Sequence, residues 1–532
     1  MAGGTVAGAV TLAANTTIET TKDSTFSAVI DGSGRSVTLT GDNTTLTLSG
    51  ANTYTGGTTI SAGTVKTTNA SALGTGNVTV ASTGTLLVSQ NLTIKGDGTA
   101  TNNGLDNQGT VSIADGKTLS LYGQVSNKQY NLGTVNVLGS TATIENTNHR
   151  GTISLGAITG TAGSTVTLFS NHSSDPATWN LGTAASGSFS AGELVLQAGD
   201  SGTTATARAV YFNFNNAGMF SGATVKLQNA AIGSATKTMN NNVVLNAATV
   251  KVGGISDAAE GTVADNRIWS ISKGSAAGNR ATLELDGNDA NGYSTAVKVG
   301  ADIDIKKTGS ATQVFSGNMT QFNGSIDVEA GTLNVMNIAA STSLNVKDVT
   351  IASGATLGVY NGATATADTD HEGTLTMKSG SHLKAGGDNA TLNANLVMES
   401  GSTLEVSLAQ ATHGLTMGCS LSLNTGDLLG TDDLGFVQNL QFGQYYYLYN
   451  GVDSLTVNST QYEALNFEDY KHFDMDASKV YTQLDEKRYA LVYSWNGDNV
   501  GRVAITLLPE PTTSTLSLLA LCALAARRRR RS

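Results

Sequence analysis

Short stretches in which apolar residues alternate with threonine or serine recur along most of this chain. Ser36–Thr40, Gly84–Val88 and Gly133–Val137 are three of them, and glycine or asparagine separates such stretches from their neighbours. Alternation with a period of two turns one side of each stretch inward and the other outward, as in a β-strand. A unit this short cannot bury its apolar side alone, so neighbouring units have to stack. The sequence therefore predicts an all-β chain built as a β-solenoid.

Composition separates this prediction from two rivals, an array of β-sandwich domains and a low-complexity polar tract. Aromatic residues make up only 6% of the chain, whereas sandwich cores rely on them more heavily. Hydrophobic residues make up 39%, which is too many for simple disorder. Proline, which cannot donate to a sheet ladder, occurs three times in 532 residues. The composition favours the solenoid, and the sandwich array is the alternative.

The charge balance limits the partners of the chain. The formal net charge is −11, to which the five arginines Arg527–Arg531 contribute +5, so the remainder carries −16. An acidic body without a basic, aromatic-rich cluster disfavours nucleic acid as a partner. Of the two cysteines, Cys522 lies in an apolar C-terminal run and Cys419 is expected to be a small buried side chain. The chain therefore has no disulfide framework.

Residues that could support catalysis or bind a metal are scattered. The carboxylate pairs close in sequence are Asp302 with Asp304, Asp432 with Asp433, and Asp474 with Asp476. Glycosidase chemistry needs two carboxyls placed across a cleft, one of them with a raised pKa, and we interpret these pairs as solvated instead. The histidines show no paired-ligand spacing: they are His149, His172, His371, His382, His413 and His472. We expect no enzymatic activity, no cofactor and no metal site.

The segment Asp286–Gly292 has the acidic composition of a calcium loop but not its spacing. With Gly292 as the turn glycine, the first ligand position would be Gly287 and the last Lys298, and neither residue is a suitable ligand. We expect an acidic turn in its place.

The composition changes near Asp432, where aromatic residues become frequent. Arg488–Trp495 and Val503–Leu507 both alternate like strands, and Asn496-Gly497 lies between them. This arrangement predicts an antiparallel hairpin. Because the open end of a solenoid needs covering, we expect residues 432–508 to form a short antiparallel cap.

Two segments share a finer pattern of a glycine-rich turn, an aromatic residue, a glycine corner and an Ala-Gly-Thr that leads into a strand. Residues 48–65 read LSGANTYTGGTTISAGTV, and residues 315–333 read FSGNMTQFNGSIDVEAGTL. They resemble the passenger-associated repeat of autotransporters. The resemblance implies a right-handed parallel β-helix displayed outside the cell, with Tyr54 and Phe322 as packing residues and the glycines as corners.

The C-terminal residues resemble a second kind of signal. A Pro-Glu-Pro tripeptide precedes the apolar run Leu516–Ala526 and the arginines, and this order resembles the PEP-CTERM sorting signal of Gram-negative bacteria. The resemblance implies recognition by an exosortase-type membrane enzyme and a short hydrophobic sorting helix that associates transiently with the inner membrane. The residues that it assigns to sorting are Pro509, Glu510, Pro511, Arg527, Arg528, Arg529, Arg530 and Arg531. Met1–Thr5 lack a basic or apolar stretch, so we expect a signal peptide upstream of them.

Together these observations predict three regions: a solenoid over 1–431, a cap over 432–508 and a sorting signal over 509–532. The predicted function is that of an exported, structural or adhesive protein of the cell surface, outer membrane or extracellular space. Its expected partners are the exosortase-type machinery and extracellular polysaccharide or the glycans of host or neighbouring cells. The alternatives are a carbohydrate-active lyase or hydrolase and an inert surface spacer.

Overall fold

A computed structural model gives the fold of the chain in two compact units, Met1–Gly324 and Ser325–Ser532. The residues that it describes are 1–96, 103–122, 128–147, 151–171, 177–184, 189, 192–200, 208–232, 239–257, 268–317, 319, 321–336, 343–360, 364–367, 374–386, 391–393, 395–399, 402–406, 415–416, 421–423, 445–452, 455–457, 460–462, 465–466, 489–495 and 501–507.

Nearly all regular structure in these residues is β-strand, with one short 3₁₀ helix at Ser275–Ala277. The first strands are β1 (Ala2–Val6), β2 (Val10–Thr11), β3 (Thr16–Glu19), β4 (Lys22–Phe26), β5 (Ile30–Asp31), β6 (Val37–Thr40), β7 (Thr45–Leu48), β8 (Thr58–Thr67), β9 (Val78–Val88), β10 (Leu92–Ile94), β11 (Asn103–Asn107), β12 (Thr110–Ile113), β13 (Lys117–Tyr122), β14 (Lys128–Val137), β15 (Thr141–Thr147) and β16 (Gly151–Gly160). The remaining strands of the first unit are β17 (Thr165–Asn171), β18 (Ala177–Leu181), β19 (Glu193–Asp200), β20 (Arg208–Phe214), β21 (Phe220–Ile232), β22 (Met239–Leu245), β23 (Thr249–Asp257), β24 (Ile268–Lys273), β25 (Ala281–Leu285), β26 (Tyr293–Thr295), β27 (Lys298–Val299), β28 (Ile303–Lys307) and β29 (Thr312–Phe315). The strands of the second unit are β30 (Ile326–Val328), β31 (Thr332–Met336), β32 (Ser343–Val346), β33 (Val349–Ile351), β34 (Thr356–Tyr360), β35 (Thr364–Ala367), β36 (Thr374–Met377), β37 (His382–Gly386), β38 (Thr391–Asn393), β39 (Asn395–Met398), β40 (Thr403–Val406), β41 (Leu415–Thr416), β42 (Leu421–Leu423), β43 (Tyr445–Val452), β44 (Leu455–Val457), β45 (Thr460–Tyr462), β46 (Leu465–Asn466), β47 (Tyr489–Trp495) and β48 (Gly501–Leu507).

Two long parallel sheets organise the first unit. In the first sheet the neighbours run β3, β6, β8, β9, β11, β14, β16, β18, β20, β22, β24 and β27, and in the second they run β10, β13, β15, β17, β19, β21, β23, β25 and β28. Between β13 and β25, strands of the two sheets alternate along the chain, so each pass through both sheets is one coil. Before β10 the strands belong to the first sheet, apart from the pair β2 and β5. This topology confirms the predicted all-β solenoid.

The Gly-Thr-Val and Gly-Thr-Leu motifs of the sequence stack in register on consecutive coils. Their threonines form an outward column, and the residues after them form a buried one: Thr45, Thr64, Thr85, Thr110 and Thr134 outside, with Leu46, Val65, Leu86, Val111 and Val135 inside. The glycines stand where the chain bends. A Cβ on Gly84 would lie 2.6 Å from the carbonyl oxygen of Ile60, which explains why the corner excludes a side chain.

Large aromatic side chains fill the solenoid interior between β18 and β24. Trp179 and Phe212 stack with ring centroids 6.0 Å apart, and Phe212 stacks on Trp269 at 5.9 Å. Phe214 is also buried and meets Phe220 edge-on at 4.9 Å. Phe212 and Phe214 alternate with outward residues on β20 and so share its core-facing side, and the strands between 169 and 313 continue the same parallel sheets.

The second unit has parallel sheets and ends in antiparallel pairing. β30, β33, β36, β39 and β42 follow one another in one sheet, and β31, β34, β37 and β40 in another. β41 pairs in parallel with β43, after which β43 and β48 pair antiparallel, as do β47 and β48. The predicted hairpin is therefore confirmed. No helix in the described part of the chain combines the length and apolar character needed to span a membrane.

Candidate functional site

Several residues singled out from the sequence lie outside the described residues. They are Pro509, Glu510, Pro511, Arg527–Arg531, Asp432, Asp433, Asp474, Asp476, Cys419, Cys522, His149, His172, His371, His413 and His472. The remaining histidine, His382, begins β37 and is half-buried. Its backbone N–H donates to the carbonyl oxygen of Ala355, which is the role of a strand residue.

The carboxylates of Asp302 and Asp304 contact the same guanidinium. Arg280 donates from Nε to both carboxylate oxygens of Asp304 at 3.0 Å, and its Nη1 lies 3.6 Å from Oδ1 of Asp302. The alternating pattern around residues 302–304 predicts that Asp302 and Asp304 share one face of a strand, but β28 begins at Ile303 and Asp302 lies outside it. It occupies the turn before β28 with φ at 59°, and its N–H donates to Oδ1 of Asn323 at 2.7 Å. This ion-pair cluster fastens three coils together.

The acidic segment 286–292 forms hydrogen-bonded turns. Oδ1 of Asp289 accepts from the N–H of Asn291 at 2.9 Å, and Oδ1 of Asn288 accepts from the N–H of Ser310 at 2.9 Å. The carboxylate of Asp286 accepts from the Ser221 hydroxyl at 2.5 Å and from a backbone N–H at 2.8 Å. Among the described residues, no three His, Cys, Asp or Glu side chains converge as a metal site would require.

A buried lysine was not foreseen from the sequence. Lys307 occupies an inward position of β28 in register with Leu285, and its side chain is fully buried. Burial lowers the pKa of Lys307 to about 8, although the charge of Asp286 partly opposes this. The ammonium donates to the carbonyl oxygen of Gly309. The sequence pattern only indicates that position 307 faces inward, and it does not identify what solvates the charge.

The first repeat segment builds a buried hydrogen-bonded corner. Asn52 accepts at Oδ1 from the N–H of Ile30 at 2.8 Å and donates from Nδ2 to the carbonyl oxygen of Ala72 at 2.6 Å, so it links three coils. Tyr54 is fully buried with its hydroxyl 2.6 Å from Oγ1 of Thr58, and burial raises its pKa to about 12. Phe322, in the second segment, is also fully buried. Both aromatic residues therefore pack in the core, as expected.

The first sheet carries a long outward row of polar side chains, which have hydroxyl or amide groups except for the carboxylate of Asp106 and which we call the polar column. Each member is in register with the next, one coil further along. The members are Thr17, Thr38, Thr59, Thr79, Asp106, Asn131, Ser154, Asn180 and Asn213. All of them are half-exposed or exposed. Since neighbouring strands lie about 4.8 Å apart, the column offers a hydrogen-bonding side chain at every step along the solenoid.

A second row runs beside the C-terminal half of the polar column and contains an exposed aromatic residue. We call it the tyrosine column, and its members are Gln129, Thr152, Thr178, Tyr211, Asn242 and Ser270. Tyr211 is 37% exposed. Beside it, Nδ2 of Asn213 donates to Oδ1 of Asn180 at 2.9 Å, and the Ser270 hydroxyl donates to Oδ1 of Asn242 at 2.6 Å. The two rows together form an uncharged surface beyond Asp106.

The outer surface of the second sheet is different, because charged pairs cross its coils. Lys226 lies 2.5 Å from Glu193, and Lys251 lies 2.9 Å from Glu284. The hydrogen bond to Glu284 raises the pKa of Lys251. Ion pairs therefore cross the coils on the outer surface of the second sheet, whereas the polar column beyond Asp106 presents neutral donors and acceptors.

Comparison with known proteins agrees with the repeats. The sequence profile of the family described as Passenger-associated-transport-repeat matches residues 44–66 and 305–335. These matches contain the two segments at 48–65 and 315–333, so the resemblance to that repeat is confirmed. No curated protein matches the chain, and no solved structure does. The repeats and the parallel β-solenoid fit an exported β-helix protein of the cell surface.

Proposed function

We propose that this protein is a structural or adhesive component of the bacterial surface that contacts glycans through the outer surface of its first sheet. The observation that carries the proposal is the polar column from Thr17 to Asn213, in which eight of the nine side chains in register carry hydroxyl or amide groups and the ninth is Asp106. Glycans are dense in hydroxyl groups, so a repeating row of neutral donors and acceptors complements them.

The protein is proposed to act by binding rather than by catalysis. A β-helix enzyme acting on polysaccharide would need two carboxyls in a cleft, one of them protonated at neutral pH. Asp302 and Asp304 instead contact the same guanidinium, that of Arg280. An inert spacer is the other alternative, and it predicts no affinity for any glycan.

Glycan-array binding of the full chain tests this proposal. We expect binding to at least one glycan class, weakened several-fold when Thr38→Val and Thr59→Val are combined, because valine keeps the shape of threonine and removes its hydroxyl. The matched control combines Thr143→Val and Thr167→Val, which are adjacent and outward on the second sheet. A chain that binds no glycan would be a spacer. Equal loss in both double variants would contradict the assignment to the first sheet.

We also propose that the C-terminal segment is a PEP-CTERM sorting signal. The tripeptide Pro509–Pro511, the apolar run Leu516–Ala526 and the cationic run Arg527–Arg531 follow in the order of that signal. This predominantly apolar run of 11 residues is short of the about 20 needed to span a bilayer, which suits a segment that is processed. The arginines resist transfer across the membrane and retain the precursor until processing.

Deletion of Arg527–Arg531 tests the sorting proposal. We expect the unprocessed precursor to escape from the membrane fraction, because the positive charges that hold the apolar run in place are gone. The control replaces the five arginines with lysines, which keeps the charge and should keep the retention. Cell fractionation that finds the deleted form still retained and normally processed would refute this role of the arginines.

A further inference from the structure

We propose that the surface centred on Tyr211 is the principal ligand subsite and that it takes a neutral polysaccharide strand lying along the solenoid axis. This inference rests on the proposed function and names the ligand class. Tyr211 is the aromatic member of the tyrosine column and is 37% exposed, although aromatic residues are rare in this chain. An exposed tyrosine ring supplies an apolar face on which a sugar ring stacks and a hydroxyl that can bond to it.

Hydrogen-bonding side chains lie beside Tyr211 on both adjacent coils and two residues further along its strand. Thr178 precedes it by one coil and Asn242 follows it by one coil in the same row. Asn180 and Asn213, from the polar column, lie two residues along the strands, and a 2.9 Å hydrogen bond between their amides fixes their orientation. The ring is therefore framed by four neutral polar side chains held in place by the sheet.

The distribution of charge around Tyr211 favours a neutral polysaccharide over an acidic one. From Gln129 and Asn131 on β14 to Ser270 and Ser272 on β24, the outward side chains of the described residues in these two rows are uncharged. The nearest charged members of the rows are Asp106 and Lys298, one at each end. An acidic polysaccharide would find no cation here to pair with, and the whole chain repels it with a net charge of −11.

The register of the two rows indicates that the polysaccharide lies parallel to the solenoid axis. Binding groups recur at each coil, about 4.8 Å apart along the axis, over the six coils from Gln129 to Ser270. A polymer lying along this axis meets a new pair of side chains at every coil, whereas a polymer lying across it would leave the flat rows after one or two sugar units. The subsite should accordingly bind polymers more tightly than single sugars, by multivalent contact.

The test is affinity electrophoresis of the full chain in gels that contain a neutral polysaccharide (dextran, amylopectin or galactomannan) or an acidic one (alginate or polygalacturonate). We expect retardation by at least one neutral polymer and by neither acidic polymer. Tyr211→Ser should raise the dissociation constant about five- to tenfold, because it removes the stacking face. Tyr211→Phe should stay within about twofold of the original, because it keeps the ring. Phe169→Ser is the matched control, since Phe169 is an outward aromatic on the second sheet in register with Glu145 and Gln197, and it should bind like the original.

Each outcome decides between the two proposals. Binding to a neutral polymer that is equally strong in Tyr211→Ser and Phe169→Ser would overturn the subsite and leave glycan contact intact. Retardation by the acidic polymers alone would overturn the ligand class. If no glycan binds either here or on the array, the proposed function fails and this inference fails with it. Circular dichroism of each variant separates loss of the site from loss of the fold.

Discussion

The buried Lys307 shows that a single residue can lower the stability of a solenoid. Its side chain is fully buried at a position that the neighbouring coil fills with Leu285. Burial disfavours the charged form and lowers the pKa to about 8 from its usual 10.5. Below about pH 8 the folded protein therefore holds a poorly solvated charge, and this cost disappears as the pH rises towards 10.5, where the unfolded chain also loses the proton.

We predict that Lys307→Met raises the free energy of unfolding at pH 7 by about 1–3 kcal/mol. Methionine keeps the stem that packs in the core and removes the charge. Urea denaturation should show the largest difference between variant and original at pH 7, with the two converging near pH 10.5. Lys251→Met is the control, because the pKa of Lys251 is raised by Glu284 and its removal should bring no gain. An equal free energy of unfolding for the original and Lys307→Met at pH 7 would contradict the argument.

The sequence predicts the burial of some individual side chains but not the contacts of others. The resemblance to the passenger-associated repeat predicted that Tyr54 and Phe322 pack in the core, and both are buried. For Phe212 and Phe214, alternation within the strand is enough to determine which side faces inward. The ion-pair cluster around Arg280 was not predicted, since it joins residues 22 to 43 positions away on other coils. Partners this distant depend on the coil register, which no local pattern reveals.

At the scale of the strand and its corner, the glycines of the Gly-Thr motifs decide where the chain bends. A Cβ on Gly84 would approach backbone atoms of the coil below it, with the Ile60 carbonyl oxygen at 2.6 Å. Backbone cannot move aside without breaking the parallel pairing of β8 and β9. Gly218 is a contrast, because a Cβ there would meet nothing within 4 Å.

We predict that Gly84→Ala destabilises the first unit by about 2–4 kcal/mol, because the clash is with backbone and not with a flexible side chain. Gly218→Ala should change stability by less than about 0.5 kcal/mol. Thermal unfolding followed by circular dichroism compares the two variants directly. Similar melting temperatures for both would mean that the corner relaxes and that the glycine column is not a steric requirement.

Strands were predicted well from the sequence where one motif forms one strand, and less well where a strand continues through a bend. The motifs at Gly84, Gly109 and Gly133 each led to a strand segment at the expected place. The sequence did not reveal that β8 runs unbroken through Ser61–Gly63, because the bend is made by a register shift between Ile60 and Ala62 against β9. Such a bulge belongs to the pairing of two coils, not to either segment alone.

For the molecule as a whole, the acidic net charge and the uncharged surface around Tyr211 lead to a prediction about salt. Contacts between neutral groups are not screened by ions, whereas charge pairs weaken once the Debye length falls to a few ångströms. The affinity for a neutral polysaccharide should therefore change by less than about twofold between 50 mM and 500 mM sodium chloride. Affinity electrophoresis at both concentrations measures this, and a tenfold weakening would indicate that ion pairs carry the binding.

Domain organisation was the least predictable level. The sequence predicts one solenoid up to residue 431, a boundary that stays a prediction, whereas contacts divide the chain at Gly324. That division falls inside the second repeat match at 305–335. Short alternating strands of similar composition lie on both sides of Gly324, so the composition does not predict the division. The antiparallel end was predictable because aromatic residues become frequent near Asp432 and because two alternating stretches, Arg488–Trp495 and Val503–Leu507, lie on either side of Asn496-Gly497.

The register of the polar column has a consequence for how such a protein can evolve. Thr38 and Thr59 occupy equivalent places 21 residues apart, so one coil is a self-contained unit of sequence. Duplicating that unit in frame would add one coil to the solenoid and one more side chain to the polar column, without disturbing the members already present. Tandem duplication would then increase both the length of the solenoid and its avidity for a polymer. Substitutions in individual copies would change the binding at each coil separately.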